Sequence, residues 1–344
     1  MKKTILAVAI PALFAASAQA ANVYDADGVS ADVYGRMQFQ IKDDGTDTNG
    51  VGSARMGFNA KSEIAPGISG IAKGEWQLAA ENSAKDGDEF NARHLYAGFE
   101  FDDAGTVIFG QTDTAFYKAV EATDIFNGNT GYEAFTAVED GRQEGQIIYS
   151  GEFGGFYVGA SYQFKNDNFS FEVGNPDSAG TTIETPLKLD SAYAGTLGYT
   201  FADLGLSTYV SYHVEDFDGD KEKKNFALSA AYTLGDLYLG AAYVKSDLDN
   251  IDVTSKTGTY RLDNIQGYDF VAAYTIDAVK LYTGYAAQDA DFTSTTTQSI
   301  DTADAFKLGA QYSFNSNMKA WAEYKVNGLS GADDYWEMAL QYNF

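Results

Sequence analysis

Residues 335–344 read Tyr-Trp-Glu-Met-Ala-Leu-Gln-Tyr-Asn-Phe, and large apolar side chains occupy every second position. Trp336, Met338, Leu340, Tyr342 and Phe344 share one parity, whereas the positions between them are mostly polar or small. Successive side chains of a β-strand point to opposite faces, so these five residues would form one apolar face. The stretch therefore predicts a strand that separates an apolar environment from a polar one.

The same alternation recurs through most of the chain after residue 20. It is clearest over the segments 33–42, 156–164, 193–201, 226–234, 268–276 and 306–314. No stretch after residue 20 contains 18 consecutive apolar residues, so the sequence offers no transmembrane helix. Repeated strands with one apolar face predict an all-β fold.

Two kinds of connection separate the predicted strands. Some are tight turns, as at 65–67, 102–105 and 235–236, whereas others are long and polar. Short turns at one end and long loops at the other are typical of an outer-membrane barrel. We expect a transmembrane antiparallel β-barrel of about 16 strands, a size that leaves an aqueous lumen. The expected long loops are 43–50, 166–190, 247–263 and 289–304.

Three features favour a membrane barrel over a soluble β-sandwich. The apolar face of the clearest strands carries no charge, which suits a surface in contact with lipid. Tyrosine and phenylalanine end several strands, as in Tyr199 and Phe201, where an interfacial aromatic girdle is expected. Pro66, Pro176 and Pro186 are the only prolines after residue 20, and all three are expected in turns or loops.

The first twenty residues have the parts of a secretory signal peptide. Lys2 and Lys3 precede the apolar segment 5–14, and Ala18-Gln19-Ala20 forms a cleavage site. We therefore expect a signal peptide over 1–20, a barrel domain over 21–344, and export through the periplasm to the bacterial outer membrane. Removal of the two lysines changes the formal net charge from −26 to −28.

Charge and composition exclude several classes of function. A strongly acidic chain repels phosphate backbones, so nucleic acid is not an expected partner. The chain has no cysteine, and His94 and His213 are its only histidines, neither with a nearby serine partner. Asp216, Asp218 and Asp220 resemble the start of a calcium loop, but the later positions do not match. We expect no enzyme activity, no cofactor and no metal site.

The ordered local motifs resemble those of the general diffusion porins, which are trimeric 16-stranded barrels of enteric and related bacteria. The resemblance covers most of the chain after residue 20. It implies a homotrimer that passes ions and small hydrophilic solutes and contacts outer-membrane lipid and lipopolysaccharide. It also implies that Tyr342 and Phe344 form the signal read by the barrel-assembly machinery. The motifs are Asp32-Val33-Tyr34-Gly35-Arg36, Ala54-Arg55-Met56-Gly57-Phe58, Asn91-Ala92-Arg93, Tyr96-Ala97-Gly98, Phe109-Gly110-Gln111 and Tyr342-Asn343-Phe344.

The resemblance further implies a constriction inside the barrel. In the family the third long loop, here about 112–141, folds inward opposite a basic cluster on the wall. The matching basic residues are Arg36, Arg55, Arg93 and Arg142, and the alternation independently points Arg36 and Arg55 inward.

Asp124 matches the acidic side of that constriction. The segment 126–130 departs from the family pattern and lacks its glutamate, so Glu121 or Glu133 is expected to substitute, and Glu75 completes the acidic set. Lys118 stands where an acid is usual, and Gln111 stands where an arginine is usual.

Two other functions stay open at this point. A substrate-selective porin, for example for an oligosaccharide, would need an aromatic slide, which the inward Tyr34, Tyr157, Tyr209 and Tyr282 leave open. A structural or adhesive barrel would have no open pore. For a general diffusion pore the acidic outer loops predict a weak preference for cations. Their aspartates could instead share divalent cations with lipopolysaccharide: Asp43, Asp44, Asp47, Asp247, Asp249 and Asp252.

Overall fold

The structure is a computed structural model that describes residues 21–43, 45–79, 90–128, 131, 133–138, 141–178, 180–294 and 297–344. The expected signal peptide lies outside these residues. The described chain is built from eighteen β-strands. They are β1 Ala21–Ala26, β2 Val29–Asp43, β3 Thr48–Ala65, β4 Ile68–Ala79, β5 Phe90–Phe101, β6 Gly105–Asp113, β7 Arg142–Phe153, β8 Phe156–Gln163, β9 Asn166–Gly174, β10 Thr182–Phe201, β11 Leu206–Phe217, β12 Lys221–Leu234, β13 Leu237–Thr254, β14 Thr259–Ile276, β15 Val279–Thr293, β16 Thr297–Ser313, β17 Met318–Asn327 and β18 Tyr335–Asn343.

Antiparallel pairing of successive strands closes the sheet into a barrel. The last strand, β18, pairs with β2, so the ladder has no open side. Strands β8 and β9 follow one another along β10, and β1 continues the line of β18 beside β2. The eighteen described strands thus occupy sixteen positions in the wall, because two positions hold two strands each. The prediction of a barrel of about sixteen strands is confirmed.

The two ends of the described chain meet in the wall. The backbone N–H of Gly35 donates to the carbonyl of Phe344 at 2.9 Å, and the N–H of Phe344 donates back at 3.0 Å. Two residues earlier in β2, Val33 pairs with Ala21. A side chain at Gly35 would collide with the ring of Phe344, 2.5 Å from the position of a Cβ. Glycine at this position lets the terminal aromatic ring lie flat on β2.

The outer surface of the barrel is apolar. Met37, Leu197, Leu228 and Phe270 are between 51% and 64% exposed, although a soluble protein would bury them. A continuous apolar surface of this kind suits contact with lipid acyl chains. The described residues include no helix long and apolar enough to cross a membrane.

Aromatic side chains cluster where strands reach the short turns, which we call the turn end of the barrel. Tyr199 contacts Phe201 with ring centroids 4.6 Å apart, and Tyr312 contacts Phe314 at 5.0 Å. Phe156 on the neighbouring strand extends the row by contacting Tyr199 at 4.6 Å. This arrangement matches the girdle expected at a membrane interface. We call the opposite end the loop end.

The expectation of long polar loops is wrong for most of their length. Residues 166–174 and 182–190 lie in β9 and β10, and 247–254 and 259–263 lie in β13 and β14. The alternation continues in these strand ends, but the apolar side chains now point inward instead of outward. Leu248 and Ile251 are buried, whereas Asp249 is exposed. The strands therefore extend past the lipid-facing band and enclose apolar side chains at the loop end.

Pro186 was expected in a loop but lies within β10, opposite Ser170 of β9. β10 pairs with β11 only from Leu189 onward. At Pro186 the strand therefore has one neighbour, and the missing N–H of proline removes no bond from a second ladder. Pro66 and Pro176 do lie between strands, as predicted.

Candidate functional site

The connection between β6 and β7 folds into the barrel. It contains three short 3₁₀ helices, Ala115–Ala119, Glu121–Thr123 and Glu133–Phe135. Phe116 and Val120 are fully buried, and Phe135 is 2% exposed. Apolar residues of a loop reach this degree of burial only by packing against the inner wall. The expected inward loop is confirmed, and its described residues between the strands are 114–128, 131, 133–138 and 141.

Hydrogen bonds from the wall hold the backbone of the inward loop. Thr196 donates to the carbonyl of Ala115 at 2.6 Å, and Tyr238 donates to the carbonyl of Ala122 at 2.6 Å. Gln288 donates to the carbonyl of Ala134 at 3.0 Å. These donors lie on β10, β13 and β15, so the loop lies against that side of the barrel. Sequence alternation points such side chains inward but does not reveal their loop partners.

The segment that departs from the family pattern is anchored to β17. The backbone N–H groups of Asn127 and Gly128 donate to the carboxylate of Glu323 at 2.6 and 3.2 Å. Lys319 donates to the side-chain oxygen of Asn127 at 2.6 Å. Gly128 packs so closely on Glu337 that a Cβ would lie 1.8 Å from the carboxylate. A wall carboxylate thus fixes this part of the loop without a glutamate in the loop itself.

The predicted basic wall lies across the lumen from β10 to β16, against which the inward loop packs. Arg36, Arg55 and Arg93 lie on β2, β3 and β5, and Arg142 begins β7 where the loop ends. Arg36 of β2 and Arg55 of β3 are cross-strand partners. The charges of Arg36, Arg93 and Arg142 all act on Arg55. The structure therefore brings the four predicted arginines together on one side of the pore.

Arg93 joins this group through an irregularity in β5. Glu75 pairs with His94, but the next residue of β4, Trp76, pairs with Ala92, so Arg93 is an extra residue in the ladder. A bulge of this kind changes which face the neighbouring side chains take. Strict alternation would put Arg93 on the same outer face as Leu95, which is 48% exposed.

Glu75 was expected on the acidic side of the constriction and lies among the arginines instead. Its carboxylate accepts a hydrogen bond from Nε of Arg93 at 2.7 Å and from the hydroxyl of Tyr34 at 3.0 Å. The reason is that Glu75 belongs to β4, next to β3 and β5, which carry Arg55 and Arg93. Glu75 therefore offsets part of the positive charge of the wall.

Arg142 has an acidic neighbour that sequence reasoning missed. Its guanidinium lies 3.6 Å from the carboxylate of Asp113, its cross-strand partner. Both residues are the strand ends that flank the inward loop. In the sequence, the only indication of this contact would have been two residues of opposite charge at facing positions of a predicted hairpin.

Asp124 is the exposed acid of the inward loop. It accepts a hydrogen bond from the hydroxyl of Tyr117 at 2.8 Å, which orients its carboxylate. Glu121 is half-buried and forms an ion pair with Lys118, three residues earlier. Burial raises the pKa of Glu121 above its usual range, and the charge of Lys118 opposes that effect. Asp124 is therefore the loop carboxylate best placed to act on passing ions.

Glu133 faces the wall rather than the open lumen. Its carboxylate lies 3.3 Å from Lys325 and 3.6 Å from Lys307, and Lys307 also contacts Asp269 at 3.1 Å. Burial raises the pKa of Glu133, and the two lysines oppose that effect. This charged cluster fixes the end of the loop. Its members come from distant strands, so the sequence did not indicate it.

The four tyrosines that an aromatic slide would need are dispersed. Tyr282 is 3% exposed beneath the loop, where its hydroxyl donates to Glu323 at 2.7 Å. Tyr157 and Tyr209 contact one another edge to face and lie beside Lys118. Tyr34 is engaged with Glu75. No continuous aromatic path joins these four residues.

The arrangement can bind and orient charge. Among the described residues, no group of three histidine or acidic side chains could hold a metal ion. Guanidinium groups on one side and the Asp124 carboxylate on the other create an electric field across the narrowed lumen. Polar solutes can align in such a field, whereas apolar solutes would have to disrupt ordered water.

Comparison with known proteins gives consistent matches over the whole chain. The sequence profile of the Gram-negative porins matches residues 6–344. The chain is 28% identical to outer membrane porin F of Salmonella typhi over 379 aligned positions, with all of both chains covered. It is 27% identical to outer membrane porin F of Escherichia coli K12, again with both chains fully covered.

Solved structures share the fold at lower identity. OmpF of Salmonella typhi, in complex with daunomycin, matches with a TM-score of 0.80 at 21% identity, covering 94% of this chain and all of the other. The anion-selective porin of Comamonas acidovorans matches with a TM-score of 0.66 at 14% identity, covering 92% of this chain and all of the other.

Proposed function

The chain belongs to the Gram-negative porin family, and on this premise we propose that its constriction gives a weak preference for cations. The protein is a general diffusion porin of the outer membrane. Ions and small hydrophilic solutes cross its lumen down their gradients, and the passage needs no bound cofactor. The proposal concerns the charge that these solutes meet at the narrowest point.

The balance of charge at the constriction carries the proposal. The four wall arginines are offset by Glu75 and by Asp113, which lie 2.7 Å from Arg93 and 3.6 Å from Arg142 respectively. Asp124 adds an exposed negative charge from the loop side. The local positive excess is therefore small. Uncompensated arginines would instead favour anions, because a low-dielectric wall strengthens their field.

The rest of the molecule adds a negative potential. The formal charge of −28 without Lys2 and Lys3 raises the concentration of cations near the mouth. Salt shortens the range of that potential to about 8–10 Å at physiological ionic strength. The preference should therefore decrease as salt increases.

Reversal potentials across planar bilayers test this proposal. With a KCl gradient in dilute salt, the potential should have the sign of weak cation preference and should decrease in magnitude in concentrated salt. An anion-selective potential in dilute salt would refute the charge argument. Discrete conductance steps in the same recordings separate an open pore from a structural or adhesive barrel, which would show none.

A substrate-selective pore remains the second candidate, but the dispersed tyrosines do not favour it. An oligosaccharide channel would show saturable sugar permeation and sugar-dependent block of the ion current. A general pore should show sugar flux that increases linearly with concentration. Tyr209 and Tyr282 are too buried to line a sugar path, at 9% and 3% exposure.

We propose that the protein assembles as a homotrimer in the outer membrane. A structure of OmpT of Vibrio cholerae, described as the trimer form, shares the fold with a TM-score of 0.65. A trimer should appear as an electrophoretic band that disappears on boiling. Purely monomeric particles by light scattering in mild detergent would argue against it.

Contact with lipopolysaccharide is a further proposal. Asp247, Asp249 and Asp252 are exposed on the outer face of β13, where headgroups could share divalent cations with them. Each already forms an ion pair, with Lys245, Lys224 and Arg261 respectively, which also suits a purely solubilising role. Asp44 lies outside the described residues. A chelator should lower thermal stability in lipopolysaccharide-containing samples if the cation contact exists.

Recognition by the barrel-assembly machinery is proposed for the C-terminal strand. Tyr342 is 49% exposed on the outer face, and Phe344 shares its parity. The signal peptide over 1–20 would be removed before this step. Deletion of Phe344 should reduce the yield of assembled barrel in cells more than it reduces folding into detergent.

A further inference from the structure

The hairpin formed by β9 and β10 leaves the barrel wall at the loop end. β8 pairs with β10 up to Gln163 and Ala192, and β10 pairs with β11 only from Leu189 onward. Beyond these points β9 pairs only with β10 among the described strands. The hairpin is therefore a two-stranded ribbon without a sheet neighbour. An isolated ribbon of this kind is marginal in water and needs an apolar face to pack on.

That apolar face is present and buried. Phe169, Phe171 and Val173 of β9 are between 0% and 3% exposed, and Leu187 of β10 is 9% exposed. The opposite face of β9 carries Glu172, which is exposed. The hairpin thus has one face exposed to solvent and one buried apolar face, which we call the underside.

The underside packs on the inner surface of the barrel extension. The ring of Phe169 lies 5.3 Å from that of Phe217, and the ammonium of Lys223 lies over Phe171 at 4.9 Å. The same apolar core continues through inward residues of β13 to β15 and reaches the inward loop at Phe116. Its members on these strands include Val244, Leu248, Ile251, Val253, Leu262, Ile265 and Phe292, none more than 5% exposed.

The tip of the hairpin is fastened to the turn between β13 and β14. The backbone N–H and the hydroxyl of Thr257 donate to the carboxylate of Asp177 at 3.0 and 2.6 Å. The sheet places β11 and β12 between β10 and β13 along the wall. The hairpin therefore crosses the interior to reach this turn instead of following the wall.

Two close packing contacts extend further around the mouth. A Cβ at Gly174 would lie 2.5 Å from the Cβ of Thr302 in β16, and a Cβ at Gly180 would lie 2.7 Å from that of Ala332, between β17 and β18. Glycine is thus required where the ribbon rests on the far side. Five strands, β11 to β15, separate β10 from β16 along the wall.

We propose that the β9–β10 hairpin is a fixed lid over the side of the mouth formed by β9 to β16, and that it restricts the access of solutes to the constriction between the inward loop and the arginine wall. The entrance is then displaced toward β2 to β7, directly above the arginine wall. The lid is held shut by its apolar underside and by the Asp177–Thr257 contact, so it is a permanent part of the pore. This inference rests on the pore function of the family and is independent of the charge preference proposed above.

A covalent link tests whether the lid is fixed. The chain has no cysteine, so Asp177→Cys with Thr257→Cys creates one specific pair of thiols. Bridging them with a short bismaleimide replaces the contact that the two substitutions remove, so single-channel conductance should equal that of the unmodified protein. A loss of half or more of the current on bridging would show that the hairpin moves during conduction and would overturn the proposal.

A shortened hairpin tests whether the lid restricts access to the pore. Residues 168–187 are replaced by an Asn-Gly turn, which suits a two-residue hairpin. Conductance in symmetrical salt should increase, and sugars that already pass the constriction should enter liposomes faster in a swelling assay. Because the salt is symmetrical, the ion preference of the constriction does not enter this measurement. Unchanged conductance and an unchanged rate of sugar entry would refute the proposal.

A point variant keeps the test decisive if the shortened chain does not assemble. Phe171→Ser weakens the underside, whereas its exposed neighbour Glu172→Gln is the matched control on the outer face. Phe171→Ser should show increased conductance or faster sugar permeation, and Glu172→Gln should behave like the unmodified protein. Equal behaviour of the two variants would count against the lid.

Discussion

Nε of Arg93 donates a hydrogen bond to Oε1 of Glu75 at 2.7 Å, and this pair neutralises part of the charge of the basic wall. The contact depends on the bulge in β5 that turns Arg93 into the lumen. Tyr34 donates to the other oxygen of Glu75 at 3.0 Å, so the carboxylate is held in place beside Arg36 and Arg55. The wall is therefore a partly neutralised cluster, and its two kinds of charge can be removed separately.

Replacement of Arg93 by alanine should increase the cation preference and the conductance. One charge beside the ion path changes the local free energy of an ion by on the order of 0.5–1 kcal/mol. We therefore expect a roughly two- to fivefold increase in the cation-to-anion permeability ratio. Reversal potentials in dilute KCl measure it. Arg261→Ala, on the outside at the loop end, is the control, and equal ratios for both variants would exclude Arg93 from the constriction.

Replacement of Glu75 by glutamine should shift selectivity in the opposite direction. The arginines then lose their nearest compensating charge, so the permeability ratio should decrease by a similar factor, roughly two- to fivefold. Glu100→Gln is the matched control because Glu100 lies near the turn end of the barrel, opposite Ser69 and paired with Lys61, away from the arginine wall. A cation preference that is unchanged in Glu75→Gln would contradict the assignment of Glu75 to the basic wall.

The barrel and half of the wall could be predicted from the sequence. Period-two alternation decides which face Arg36 and Arg55 occupy, and the structure agrees. Arg93 could be placed only by resemblance, because a bulge breaks the alternation at that position. Glu75 was misplaced for a related reason. Its neighbours in space belong to two adjacent strands, and register between strands is not visible in one sequence.

The loop contacts were beyond sequence reasoning because their partners are far apart in the chain. Glu133 is held by Lys307 and Lys325, and Asn127 is held by Glu323. The extension of strands past the lipid-facing band was also missed. In these extensions the apolar residues point inward and the outer face is polar. A polar stretch of this kind is predicted as a loop when only the polarity of the sequence is considered.

Lys307 should be essential for the stability of the inward loop. It is fully buried between Asp269 and Glu133, at 3.1 and 3.6 Å from their carboxylates. Lys307→Met leaves two buried acids without this partner, which should cost about 3–5 kcal/mol. The temperature at which the folded band disappears in electrophoresis measures the loss.

Two further variants identify the cause of that loss. Lys61→Met removes an exposed lysine that also forms an ion pair and should have little effect. Lys307→Met combined with Asp269→Leu should recover part of the stability, because one uncompensated acid is removed as well. A double variant no more stable than Lys307→Met would show that the charged cluster is not what holds the loop.

Acidification should weaken the cation preference through Glu121. Burial raises the pKa of this residue, so on acidification it binds a proton at a higher pH than an ordinary glutamate. The loop then loses a negative charge while Lys118 keeps its positive one. Reversal potentials recorded as the pH is lowered from about 7 to about 4 should show a step above the usual carboxylate range. Glu121→Gln should lack the step, and an identical profile in that variant would assign it elsewhere.

The most direct test of the account asks whether Asp124 faces the ion path. Asp124→Cys introduces the only thiol into a chain without cysteine. Methanethiosulfonate reagents that add a positive or a negative group should change the current through open channels stepwise and shift ion preference in opposite directions. The same reagents on Asp252→Cys, at the outer surface, should leave the current unchanged. Complete labelling of Asp124→Cys by mass, with no change in conductance or reversal potential, would contradict a constriction between the loop and the arginine wall.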